Sequence, residues 1–112
     1  MTTIYKICPA AEWDAAQRAG VYRGSPVDAR DGFIHFSTGA QVAETAAKHF
    51  SGQSDLLLIA VDAQALGAAL KWEPSRGGAL FPHLYAALPF AAALWVKPLP
   101  LDHQGLHIFP PL

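Results

Sequence analysis

The sequence predicts an α+β fold, with a β-sheet of mixed strand directions flanked by two main helices. Three observations predict it. Strand-like and helix-like segments alternate from Ile4 to Val61, and several short strands follow, whereas a doubly wound fold needs regular helices through the second half. The chain has 112 residues, the usual length of one domain. Leu, Ile, Val and Phe make up 29 of these residues, enough apolar side chain for a core without a metal or disulfide staple. The expected domain is residues 1–112, with a core over about 4–99 and an irregular tail over 100–112.

Each element has a local cause. Ile4 to Cys8 reads as a short strand that Pro9 closes by removing a ladder donor. Ala10 to Ala19 is alanine-rich with Trp13 and Ala16 on one stripe, and Gly20 follows where a left-handed cap belongs. Val21 to Asp31, with Gly24, Pro26, Asp28 and Asp31, reads as an irregular surface loop. Asp31-Gly32 is a turn signal, and Phe33 to Ser37 reads as one strand. Thr38 and Gln41 match a capping box for a helix over Ala40 to Phe50. Val42, Ala43, Ala46, Ala47 and Phe50 form its expected inner stripe, and Glu44 and Lys48 pair outside.

Leu56 to Val61 is an unbroken apolar run between two aspartates, as in a strand covered on both faces. Ala63 to Leu70 predicts a short helix interrupted at Gly67, and Lys71 to Glu73 a brief strand ended by Pro74. Ser75 to Gly78 reads as a turn, Phe81 to Tyr85 as an extended segment, Leu88-Pro89 as a break, and Ala91 to Val96 as a last core strand.

Charge and composition exclude whole classes. Eight Lys and Arg face nine Asp and Glu, a formal net charge of −1, with no basic run, so a duplex nucleic-acid surface built on counterion release is not expected. Cys8 is the single cysteine, which rules out an internal disulfide and a cysteine-based zinc site. No metal is expected from His103 and His107 either, because Gly105 and the nearby prolines oppose a helix there. The start of the chain lacks a signal-peptide pattern, and the apolar stretch Ala86 to Val96 is broken by Pro89 and shorter than the ~20 residues of a membrane span. The expectation is a cytoplasmic protein without a membrane partner, a monomer or weak dimer.

Two segments carry candidate chemistry. Side chains alternate along a strand, so His35 and Ser37 share a face opposite Ile34 and Phe36, with Thr38 just beyond. His83 and Tyr85 likewise share a face opposite Leu84, a pairing suited to stacking on a planar ligand and hydrogen-bonding to it. Glu73 and Arg76 flank Pro74-Ser75 beside Gly77-Gly78, where a phosphate or ribose can be clamped. If the two segments border one cleft, the His35 and His83 rings should lie within about 10–12 Å, the reach of one small ligand. No acyl-transfer elbow and no phosphate-binding glycine loop is present.

With these residues in view, the chain resembles the small bacterial proteins grouped as domain of unknown function family 952. The resemblance lies in Asp31-Gly32-Phe33-Ile34-His35-Phe36-Ser37-Thr38, in Gln41-Val42-Ala43, in Asp55-Leu56-Leu57-Leu58 with Asp62, and in Glu73 ahead of Phe81-Pro82-His83-Leu84-Tyr85. It spans roughly Ile4 to Leu99. Lys6 and Ala86 depart from it, standing where relatives carry a histidine and a glycine. The resemblance implies a split sheet similar to ADP-ribosyltransferases, around a cleft for NAD or a related nucleotide. It points to ADP-ribosyl or RNA 2′-phosphate transfer, with His35, His83 and Glu73 as catalytic residues and Ser37, Thr38, Arg76 and Tyr85 as ligand-binding residues. The alternative is a non-catalytic binding or sensor module for a small molecule or nucleotide.

Overall fold

β1 (Thr3–Pro9) alternates its side chains between two cores, and this one strand organises the molecule. In the computed structural model, which describes residues 1–112 except for the side chain of Arg76, Ile4 and Cys8 pack into one core while Tyr5 and Ile7 pack into another. β5 (Leu56–Asp62) pairs antiparallel with β1 over its whole length and splits in the same way, Ile59 and Val61 against Leu58 and Ala60. The unbroken apolar run is thereby explained: both faces of β5 are covered.

α1 (Ala10–Ala19) closes the first core with Trp13 and Ala16. It ends at Gly20, whose φ of 82° places it in the left-handed region glycine tolerates. α3 (Val42–His49) closes the opposite core with Val42 and Ala46. Its stripe differs from the expectation in part: Ala43 and Ala47 are exposed and Thr45 is half-buried instead, while Phe50 packs against the core as expected. The helix also starts at Val42, since Thr38 is still extended. Half of the expected box survives, with the Thr38 backbone N–H donating to Gln41 Oε1 at 3.1 Å. Glu44 and Lys48 do pair, at 2.9 Å.

The segment expected to be a loop is ordered. β2 (Val21–Tyr22) pairs with β8 (Leu88–Pro89), and α2 (Pro26–Asp31) follows at once. Ser25 precedes α2, Pro26 opens it with its φ already set, and the Asp28 carboxylate accepts the Ser25 backbone N–H at 2.9 Å. Those signals outweigh the local density of Gly, Pro and Asp.

The expected strand Phe33 to Ser37 is two strands in two sheets. β3 (Ile34–His35) belongs to a three-stranded sheet, beside β7 (Leu80–Leu84) and then β6 (Leu70–Pro74). β4 (Ser37–Thr38) pairs with Ile4 and Tyr5 at the edge of the main sheet, whose order is β4-β1-β5-β9, with β9 spanning Ala93–Pro98. Phe36 is the crossing point, its buried ring facing the first core and its N–H bonded to the Pro82 carbonyl at 3.0 Å. Because β4 covers only Ile4 and Tyr5, the sheet is split alongside Lys6 and Ile7, and a cleft opens there.

The remaining elements are short. A 3₁₀ segment over Ala63–Ala69 breaks at Gly67, and β9 (Ala93–Pro98) forms the far edge of the main sheet. The sequence placed a core strand at Ala91 to Val96. The structure puts the strand two residues later at a solvent-facing edge, where Leu94 and Val96 are exposed. The end of the chain folds back through Leu99 and Phe109 onto the α3-side core. No helix is long and apolar enough to cross a membrane among the described residues.

Candidate active site

Strand register brings the two histidines together. His35 on β3 is paired directly with His83 on β7. Directly paired residues project to the same face with closely spaced Cβ atoms. The ring centroids are 5.5 Å apart, well inside the separation expected for a shared cleft. Phe33 joins them, stacked on His83 with centroids 4.1 Å apart, and it also touches the His35 and Tyr85 rings.

Each histidine has a carboxylate on Nδ1. Asp28 Oδ1 lies 2.6 Å from His35 Nδ1 and also accepts the His35 backbone N–H at 3.2 Å. Its other oxygen takes the Ser25 N–H and a 2.8 Å salt bridge from Lys6 Nζ. Burial alone would raise the Asp28 carboxyl, but the His35 hydrogen bond and the Lys6 charge outweigh it and hold the group at about 2. Asp28 is therefore ionised at neutral pH, and both of its oxygens are used. Gly24 allows this approach, since a Cβ there would lie 2.7 Å from the Asp28 Cβ, and its φ of +101° excludes most side chains.

His83 is held by Glu73, whose Oε1 is 2.8 Å from Nδ1 and also accepts the Tyr85 hydroxyl at 2.7 Å. Lys71 is opposite His83 in the β6–β7 register, so Glu73 is its diagonal neighbour on the same face. The Tyr85 and His83 hydrogen bonds lower the Glu73 carboxyl below its ordinary value, and the same carboxylate raises the Tyr85 phenol. Carboxylates accept, so in both pairs Nδ1 is the donor and Nε2 turns to other partners, which for His35 is Asp31 Oδ2 at 3.0 Å.

A cleft of about 470 Å³ opens at the split in the sheet. His35, Ser37 and His83 line it, together with Lys6, Asp28, Asp31, Arg30 and His49. Tyr85 and Phe33 instead border an adjoining hollow of about 280 Å³ that also includes Arg23. Ser37 is buried and shares a 2.8 Å hydrogen bond with Thr45. Thr38 is outside the cleft lining, turned to its ladder with Ile4. The proposed role of Arg76 falls outside the described residues. No group of three metal-ligating side chains occurs among the described residues. His107 is used by the fold, with Nε2 2.9 Å from the Gln53 carbonyl.

Sequence reasoning missed Lys6, Asp28 and Asp31. Lys6 lies in a strand where its neighbours are apolar, and a buried lysine demands a partner. The Ser25-Pro26-Val27-Asp28 pattern is a helix start, which could have placed an acidic side chain in the first turn.

An α+β domain with a split sheet and paired, carboxylate-backed histidines is the class that fold and site define. Within that class, a model of the protein of unknown function family DUF952 matches residues 7–96, and the chain belongs to that family. A search of curated proteins gave no match. Among solved structures, the crystal structure of protein CC0527 from Caulobacter crescentus is 54% identical, with a TM-score of 0.93 over 96% of this chain and 94% of that one. The solution NMR structure of CC0527 is 56% identical, with a TM-score of 0.85 over 95% and 91% of the two chains.

Proposed function

We propose that the cleft binds NAD or a related nucleotide and that the protein transfers an ADP-ribosyl or phosphoryl group. One observation carries this reading: His35 and His83 stand 5.5 Å apart at the cleft, each with a carboxylate on Nδ1. A histidine oriented in this way presents Nε2 to a ligand for proton transfer or for charge stabilisation. In this reading His35 holds the ribose or a phosphate, Tyr85 stacks on the base from the adjoining hollow, and the ionised Glu73 faces positive charge developing at the ribose carbon. The cleft volume of about 470 Å³ lies within the range of small-ligand sites. The similarity of the fold to ADP-ribosyltransferases belongs to this proposal as well.

A second reading, a binding or sensor module, is favoured by a different detail. His35 has carboxylates at both ring nitrogens, Asp28 at Nδ1 and Asp31 Oδ2 at 3.0 Å from Nε2, so it is positioned without a free atom for chemistry. Calorimetry with NAD, ADP-ribose and a 2′-phosphorylated nucleotide tests the site, and nicotinamide release tests the reaction. Binding with turnover that His35→Ala and His83→Ala abolish supports the enzyme. Saturable binding without turnover supports the module. Affinity weaker than about −4 kcal/mol for every nucleotide, no binding at millimolar ligand, overturns both.

A further inference from the structure

The contact between Asp31 and His35 locates part of the ligand. Asp31 is the last residue of α2, at the end of a helix where the backbone dipole disfavours a negative charge. Its two oxygens are nevertheless each engaged by a basic side chain: Oδ2 lies 3.0 Å from His35 Nε2, and Oδ1 accepts a hydrogen bond from Arg30 Nε at 3.2 Å. Asp28 differs in every respect, being buried, doubly bonded and tied to Lys6, and it cannot leave without stranding that charge. Asp31 is one-third open to the cleft, and among the described residues Arg30 and His35 are what anchor it. His35 therefore sits between one fixed carboxylate and one replaceable one.

We propose that Asp31 occupies, in the free protein, the seat of the ligand's phosphate, and that the ligand is a phosphate ester which displaces this carboxylate from His35 and Arg30. The inference rests on the nucleotide reading for the rest of the ligand, but the phosphate seat has its own basis in the convergence of His35 Nε2 and Arg30 Nε on two oxygens of one anion. A phosphate presents oxygens in the same arrangement, with more charge and more acceptors. Arg30, Asp31 and His35 all line the cleft, which has room for a nucleoside beyond them. Asp31 thereby sets specificity: an uncharged nucleoside has nothing to offer in exchange for the carboxylate, whereas a phosphate does.

The test is calorimetry with adenosine 5′-monophosphate, adenosine and inorganic phosphate on the wild type, Asp31→Asn and Asp31→Ser, with thermal unfolding to confirm that each variant is folded. Removing a like charge from the seat should tighten the monophosphate by about tenfold in both variants and leave adenosine unchanged. Unchanged or weaker monophosphate binding in both variants overturns the inference while leaving the nucleotide reading intact. If no adenine compound binds any of the proteins, the nucleotide reading fails, and inorganic phosphate on Asp31→Asn decides the seat alone. A phosphate-dependent shift of the His35 Nε2 resonance then upholds it, and the absence of that shift overturns it.

Discussion

At the first histidine the carboxylate is buried and the ring is open, with side-chain exposures of 1% for Asp28 and 35% for His35. At the second the order is reversed, 7% for His83 and 35% for Glu73. The same chemical pair has thus been built from opposite sides. Asp28 belongs to the structural frame, since it terminates a network that joins β1 through Lys6, the Gly24 turn, the start of α2 and β3. Glu73 is partly exposed at the surface, held by His83 on the neighbouring strand and by Tyr85 just beyond it. The difference teaches that one pair should govern stability and the other should be replaceable without loss of the fold.

The comparison breaks most sharply at Asp28. Asp28→Ala leaves the Lys6 ammonium buried without a counter-charge and should cost about 3–5 kcal/mol in urea denaturation. Adding Lys6→Met to that variant should recover part of the loss, because the stranded charge is gone. Gly24→Ala attacks the same network from the backbone. With φ at +101° and no space beside Asp28, it should cost about 2–3 kcal/mol in the same measurement.

Acid sharpens the contrast. The folded-state value of Asp28, about 2, lies below its ordinary 3.8, so the stabilisation is complete above about pH 4 and is lost as pH falls through 2. Denaturation midpoints across that window should reveal a loss on the order of 2 kcal/mol, absent in Asp28→Asn. The smallest effect belongs to the exposed pair. Glu73→Gln should leave the denaturation midpoint at the wild-type value, yet it removes the charge that raises the Tyr85 phenol. NMR titration of the Tyr85 ring should then find its ionisation moved down toward the ordinary tyrosine value.

What the sequence revealed divides along the same line. The helices α1 and α3, the doubly covered β5 and the shared face of His83 and Tyr85 follow from periodicity and local signals within each segment. The convergence of the two His-bearing segments was legible as a hypothesis, because each places its polar groups on one face. The frame beneath was not. Lys6 and Asp28 are 22 residues apart and meet only in the folded chain. The switch of sheet at Phe36 arises because β1 and β7 compete for adjacent residues of one short segment, which local alternation cannot reveal. The exposed position of β9 was illegible for a similar reason: its apolar composition says nothing about which strand forms the sheet edge.

If His35 and His83 form one nucleotide site, a single ligand must be felt by both rings. The most direct measurement is nitrogen-resolved NMR of the histidine rings during titration with NAD and with adenosine 5′-monophosphate. The Nε2 resonances of both histidines should move together on one saturable curve, while His103, exposed in the C-terminal tail and outside the cleft lining, stays fixed. Absence of any movement at millimolar nucleotide, or movement of the two rings with different midpoints, would contradict a shared site.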